Sequence, residues 1–422
     1  MGNKIYRLSY LLIVICFTSI FIISLFKIIN GWSFSQANLN YTAGFVKRGF
    51  FGTVMLFFEN YFKISKTSFF SLFFIILTSL NIFLFFKIVK VIKSYWILLI
   101  YLIFNPALLL FSFNDIGGYQ RFDSISVLLI LLHVFVIQKI HNKNLTLEIY
   151  KKFLFIFFLL IFVSILIHEI QIFSIPFHII VTYHILKNKS DKIISSFIFL
   201  SLIMFGIIIM TFFNADQEMM KIIINKVNNY TIFADALGYA GGLNVSQNQF
   251  GGYIYEIKTN LFKAYNLRIN LFFILLTLIP IFSILYFFKS IKAIPNLLIS
   301  NNYFYLLAIV PFFSMFVIGD VGRWISLMAF VAFGLLMTNN IVVPKIVNKD
   351  NLNLISKIIL LILIIFYCLF TRVPHCCDLQ KNQINIYGGI LNKFSVIGQL
   401  ILNPGSENDY LNFDKRFPVR KN

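Results

Sequence analysis

Four short stretches of this 422-residue chain gather side chains that can hold a phosphate or move a proton. NYTAGFVKRGFFG, residues 40–52, sets Lys47 and Arg48 between glycines and aromatic rings. FNDIGGYQRFDS, residues 113–124, brackets a Gly117–Gly118 turn with Asp115, Arg121 and Asp123. IHEIQ, residues 167–171, carries His168 and Glu169 inside apolar sequence, and GDVGRW, residues 319–324, carries Asp320, Arg323 and Trp324.

The chemistry of each follows from residue type. Lys47 and Arg48 can contact a phosphate through both side chains, with glycines allowing close backbone approach. Arg121 can pair with one of its two neighbouring acids and leave the other as a general base. His168 and Glu169 are costly in apolar surroundings and are expected to face a cavity or a partner. Arg323 at a helix start can hold a phosphate while the Trp324 ring stacks on a sugar face. Each stretch also has a plainer reading: lipid-headgroup anchoring, a surface ion pair, a buried His–Glu lock and a helix cap, respectively.

Metal chemistry is not expected. Cys16 and Cys368 lie in apolar runs, while Cys376 and Cys377 are adjacent with only His375 beside them, which is not zinc-ligand spacing. His168–Glu169 does not open an H-E-x-x-H motif, because position 172 is Ile172. No cofactor is implied.

Composition dictates what must position these groups. With 59% hydrophobic and 12% charged residues, long apolar runs dominate. The chain reads as an all-α polytopic integral membrane protein, since open strands cannot face lipid. The net charge of +20 is spread over the segments between those runs, so a nucleic-acid partner is not expected. Eleven candidate spans lie near residues 8–29, 68–90, 95–113, 124–140, 153–168, 170–187, 193–213, 269–288, 303–319, 324–340 and 353–370. The first, without a small-residue cleavage site after it, reads as an uncleaved helix.

Lysine-dense segments such as KIVKVIK and KNKSDK alternate with the chemically richer ones. The positive-inside rule then sets the N-terminus in the cytoplasm and all four clusters outside. Residues 1–422 form a single transmembrane domain, with a long outer loop at 214–268 and an outer tail at 371–422 that carries an interfacial helix.

Outward cations, acids and aromatics on such a scaffold suit a polyprenyl-diphosphate-linked sugar donor. Lys47, Arg48, Arg121 and Arg323 would neutralise the diphosphate as it leaves. Glu169, His168, Asp115, Asp123 or Asp320 would accept the proton of the attacking hydroxyl. Glu169 ranks first, because desolvation beside His168 is expected to raise its pKa.

The span plan, and the long outward loop before a late helix pair, resemble bacterial O-antigen and capsule repeat-unit polymerases. More broadly they are similar to multispan glycosyltransferases of the GT-C group, which use lipid-linked donors. GT-C enzymes typically carry an acid early in the first outer loop, whereas residues 30–58 contain no Asp or Glu. That departure favours the polymerase-like branch. The R-x10-G pattern of some polymerase loops is absent too, so the resemblance implies a reaction class and assigns no catalytic residue. It implies a bacterial inner-membrane enzyme of surface polysaccharide synthesis, with the bilayer, a lipid-linked oligosaccharide and other polysaccharide-assembly membrane proteins as partners. The alternative is a transporter or flippase of a lipid-linked substrate, whose site would lie nearer the midplane.

Overall fold

The structure is a computed structural model that describes residues 31–90, 96–114, 120–142, 144–227 and 321–339, together with 359 and 362. Among the described residues the secondary structure is helical throughout, without strands. In chain order the helices are α1 (Gly31–Ala37), α2 (Gly49–Phe62), α3 (Lys66–Val89), α4 (Trp96–Phe104), α5 (Leu109–Asn114) and α6 (Asp123–His141). They continue with α7 (Leu147–Ile167), α8 (Ile175–Ile185), α9 (Lys189–Phe212), α10 (Gln217–Asn225) and α11 (Val321–Asn339). Short 3-10 turns at Tyr41–Ala43 and Glu169–Ser174 complete the set.

Four of these, α3, α6, α7 and α9, are long and apolar enough to cross a membrane. Their ends follow local chemistry. Ser65 caps α3 by accepting from the Ser68 amide, and Thr146 caps α7 by accepting from the Ile149 amide. α6 opens on Asp123 and closes on Lys139 and His141, the charge order that its dipole favours. α9 presents Ile193, Phe197, Leu200, Met204 and Ile208 outward, and a row of large exposed apolar side chains of this kind suits lipid rather than water.

Several expected elements differ in form. The 30–67 segment, read as a loop, contains α1 and α2 folded tightly back. A Cβ on Gly52 would collide with the Leu39 carbonyl, and one on Gly49 would meet the Tyr41 ring, so both glycines of KRGFFG serve close packing. The 95–113 span is interrupted by a turn at Asn105–Leu108. Pro106 cannot donate to a helix ladder there, and the Asn105 side-chain oxygen Oδ1 accepts from the Ala107 amide at 2.8 Å. The 170–187 span is a 3-10 turn followed by the eleven residues of α8, about 16 Å of helix and too short to cross alone. The spans expected at 8–29, 269–288, 303–319 and 353–370 lie outside the described residues, or nearly so.

α6 is the centre of the described bundle. Two-thirds of its apolar window is buried, against 28% for α9. It packs on α3, α11, α7, α8 and the 3-10 turn. At one end of α6 the rings of Phe51, Phe74 and Phe122 meet at 5.1–5.3 Å, which fixes the residue just before Asp123. α11 approaches α6 and α8 closely at Gly334, where a Cβ would come within 3.1 Å of both Phe177 and Ile130.

Candidate functional site

Residues from all four clusters meet at the start of α6. Arg48 ends the tight loop before α2 in the left-handed region, at φ 61, an uncommon conformation for a side chain of its size. From there its guanidinium reaches Glu169, in the linker after α7. Nε donates to Oε1 at 2.9 Å and to Oε2 at 2.8 Å, and Nη2 donates to Oε1 as well. A second fork joins Arg323 of α11 to Asp123 of α6, with Nε to Oδ2 at 2.6 Å and Nη2 to Oδ1 at 2.7 Å.

His168 lies electrostatically between the two forks, within reach of Arg48, Glu169, Arg323 and Asp123. Its Nδ1 accepts from the Ile170 amide at 3.3 Å and sits 3.9 Å from Glu169 Oε2. An accepting Nδ1 assigns the proton of the neutral ring to Nε2. Burial, reinforced by Arg48, holds the His168 pKa below its ordinary value, so the ring is neutral near pH 7.

The linker is pinned to the bundle through amides. Ser126 donates to Gln171 Oε1, Gln171 Nε2 donates to the Phe122 carbonyl at 3.3 Å, and Asn81 Nδ2 donates to the Ser124 carbonyl at 2.9 Å. Gln171 is thus a positioning residue that joins the Glu169 linker to the Asp123 end of α6.

The two cations of the opening stretch differ. Arg48 is paired, whereas Lys47 is buried at 7% exposure, and among the described residues its ammonium makes no hydrogen bond or ion pair. Burial lowers its pKa, Glu169 partly restores it, and Arg48 lowers it further. Arg121 lies within electrostatic reach of Asp123 and lines a small cleft with Asp123, Arg323, Ser124 and Ser326.

Two expectations change in this geometry. Desolvation of Glu169 does push its pKa upward, but the Arg48 fork outweighs burial and holds the carboxyl below its ordinary range. Glu169 is an ionised, paired carboxylate here, not a base of raised pKa. Trp324 is buried, packed edge-on to Phe173 at 5.6 Å with Arg323 5.9 Å from its ring, so its face is covered rather than open to a sugar. Asp115, Asp320, Cys16, Cys368, His375, Cys376 and Cys377 lie outside the described residues. Among the described residues no three His, Cys, Asp or Glu side chains group as metal ligands.

One polar constellation has no counterpart among the sequence clusters. Inside the bundle His133 Nδ1 faces His178 Nδ1 at 3.0 Å, His133 Nε2 meets Tyr150 Oη at 2.8 Å, and Tyr150 donates to Thr182 at 3.2 Å. The signal for it is a His within the apolar stretch of each of two helices, at 133 and 178, which spacing alone does not pair.

Buried forks of this kind bind carboxylate and phosphate with the same donor geometry, so both arginines can exchange an internal acid for an anionic ligand. The chain matches no family model, no curated protein and no solved structure, so the reading of the site rests on its own geometry.

Proposed function

We propose that the protein is a membrane glycosyltransferase of the polysaccharide-polymerase type, acting on polyprenyl-diphosphate-linked sugars at the outer face of the bacterial inner membrane. The observation that carries this reading is the convergence of Lys47, Arg48, Arg121, Arg323, Asp123, His168 and Glu169, from separate parts of the sequence, on one end of α6. Several cations with two carboxylates and a neutral histidine supply what loss of a sugar diphosphate needs without a metal. Positive charge meets the leaving group, and an acid–base group meets the acceptor hydroxyl. About eleven spans with a cytoplasmic N-terminus complete the proposal.

In this mechanism the diphosphate is drawn into the arginine forks, and Glu169 or Asp123, once displaced from its fork, takes the acceptor proton. His168, as the Nε2–H tautomer, donates a hydrogen bond to the departing oxygen. The test is a reconstituted assay with lipid-linked oligosaccharide, scoring longer lipid-linked chains. Glu169→Gln and Asp123→Asn variants are expected to separate the base from its spectator, one losing turnover while retaining donor binding.

The His133–His178–Tyr150–Thr182 chain favours the second reading, a transporter, because polar networks inside spanning helices suit a midplane pathway. Substrate moved across the bilayer with no new glycosidic bond would select it.

A further inference from the structure

Lys47 sits immediately before a helix start that is electrostatically inverted. α2 runs for fourteen residues from Gly49, and its N-cap, Arg48, provides no side-chain cap. The positive end of a helix favours anions, yet here it follows two consecutive cations. Lys47 is more than nine-tenths buried, and among the described residues its ammonium, with three donors, makes neither a hydrogen bond nor an ion pair, although its backbone amide donates to the Phe213 carbonyl at 2.7 Å. Burial of an unpaired ammonium is costly. A second donor without a partner adjoins the same turn: the Tyr41 ring lies against Gly49, and its hydroxyl is buried and unbonded.

Glu169 supplies one negative charge to this corner and directs both oxygens to Arg48. One carboxylate cannot neutralise Lys47 and Arg48 together. A phosphate can, through its higher charge and its additional acceptor oxygens, and helix N-termini are ready-made sites for it. The carboxylate can also move by its own side-chain rotamers while Gln171 keeps the linker in place. Glu169 opens a 3-10 turn between α7 and α8, so it can withdraw without unwinding a spanning helix.

We propose that Lys47, Arg48 and the first turn of α2 form a phosphate-binding site, and that the Glu169 carboxylate occupies it as an internal stand-in until a phosphate-bearing ligand displaces it. Ligand entry then frees the carboxylate at the moment a base is required, and an empty site keeps it masked. The proposal deepens the glycosyltransferase reading by naming where phosphate is held, and it rests on that reading only for the ligand being lipid-linked.

The experiment uses the purified full-length chain in detergent, titrated with inorganic pyrophosphate, and the same chain in nanodiscs with and without polyprenyl phosphate. Glu169→Gln removes the internal competitor and is expected to bind pyrophosphate roughly tenfold more tightly than wild type, the order of one charged hydrogen bond. Lys47→Gln is expected to bind roughly tenfold more weakly on the same grounds. Should Glu169→Gln not fold, Glu169→Asp, which keeps the charge but shortens its reach to Arg48, is expected to bind more tightly than wild type. A response confined to the nanodisc arm assigns the site to a lipid phosphate, and a response in both assigns it to phosphate generally. Unchanged or weaker binding in every folded Glu169 variant, or unchanged binding in Lys47→Gln, overturns the proposal. Absence of glycosyl transfer by the wild-type chain, with these affinity changes intact, defeats the enzyme reading and leaves the site standing.

Discussion

Arg48 and Glu169 stand 121 positions apart in sequence and form a two-pronged ion pair that ties the loop before α2 to the linker after α7. Both are largely withdrawn from solvent, at 16% and 6% side-chain exposure. A pair in that setting is costly to break from one side, because the survivor is left charged and unpaired. It contributes far less when both partners go together.

Arg48→Ala is therefore expected to destabilise the protein by about 3–5 kcal/mol, the range for an orphaned buried charge. The Arg48→Met, Glu169→Leu double variant is expected to be more stable than Arg48→Ala, and Arg48→Lys to recover part of the loss, since a point charge cannot reproduce the fork. Thermal unfolding of the four proteins in one detergent measures this directly. A double variant no more stable than Arg48→Ala would mean the pair is not coupled.

Acid stability follows from the same corner, with two groups acting in the same sense. The folded His168 pKa lies below its ordinary value of 6.5, so the unfolded chain takes up a proton first as pH falls. Stability is then present above about 6.5 and is lost progressively below it. Against the upward push of burial, the Arg48 fork holds the folded Glu169 pKa below its ordinary value of 4.5, so its contribution is lost only further into acid, as pH falls through the carboxyl range. A His168→Gln variant is expected to lose the upper part of this pH dependence and Glu169→Gln the lower part. Unfolding midpoints between pH 7 and 2.5 would read both, and parallel curves for His168→Gln and wild type would contradict the assignment.

Much of this corner was legible in the sequence, and its internal pairing was not. Lys47, Arg48, Arg121, Asp123, His168, Glu169 and Arg323 stood out because ionisable residues in apolar chains are expensive, and that cost is a property of residue type. Partner choice depends on tertiary geometry. Local spacing pairs Arg121 with Asp115 or Asp123, and Asp320 with Arg323, whereas Asp123 is held by Arg323 across 200 positions. The pKa of Glu169 turns on the same geometry, since its burial is legible in apolar sequence and the fork of Arg48 is not. Helix breaks were hidden by hydropathy, which does not register that Pro106 interrupts a run or that Glu169–Ser174 tightens into a 3-10 turn.

Orientation makes a further prediction. With the N-terminus in the cytoplasm, a cysteine replacing Ser246 faces outward and one replacing Ser190, at the exposed start of α9, faces the cytoplasm. In intact cells an impermeant thiol reagent is expected to label only the first. Labelling of Ser190→Cys alone would turn the site towards the cytoplasm and remove the outer-face donor from consideration.

The last prediction concerns the buried histidines, and it follows from counting protons along the chain. Tyr150 gives its proton to Thr182, so the bond between Tyr150 and His133 must use a proton on His133 Nε2. A neutral His133 then has a bare Nδ1, which can only accept, and His178 Nδ1 must be the donor at 3.0 Å. That leaves His178 Nε2 bare, and it is indeed buried without a partner. The two histidines are therefore not equivalent. His133→Phe strands the His178 N–H and removes a donor from Tyr150, whereas His178→Phe deletes a nitrogen that was already unsatisfied and orphans only one acceptor. The first substitution is expected to cost about 1–3 kcal/mol more than the second, the range for an additional unsatisfied buried group. Unfolding of the two single variants, with the double variant closing the cycle, reads the difference. Equal losses would reverse the assigned direction of the chain, because a chain polarised the other way would penalise His178 as heavily as His133.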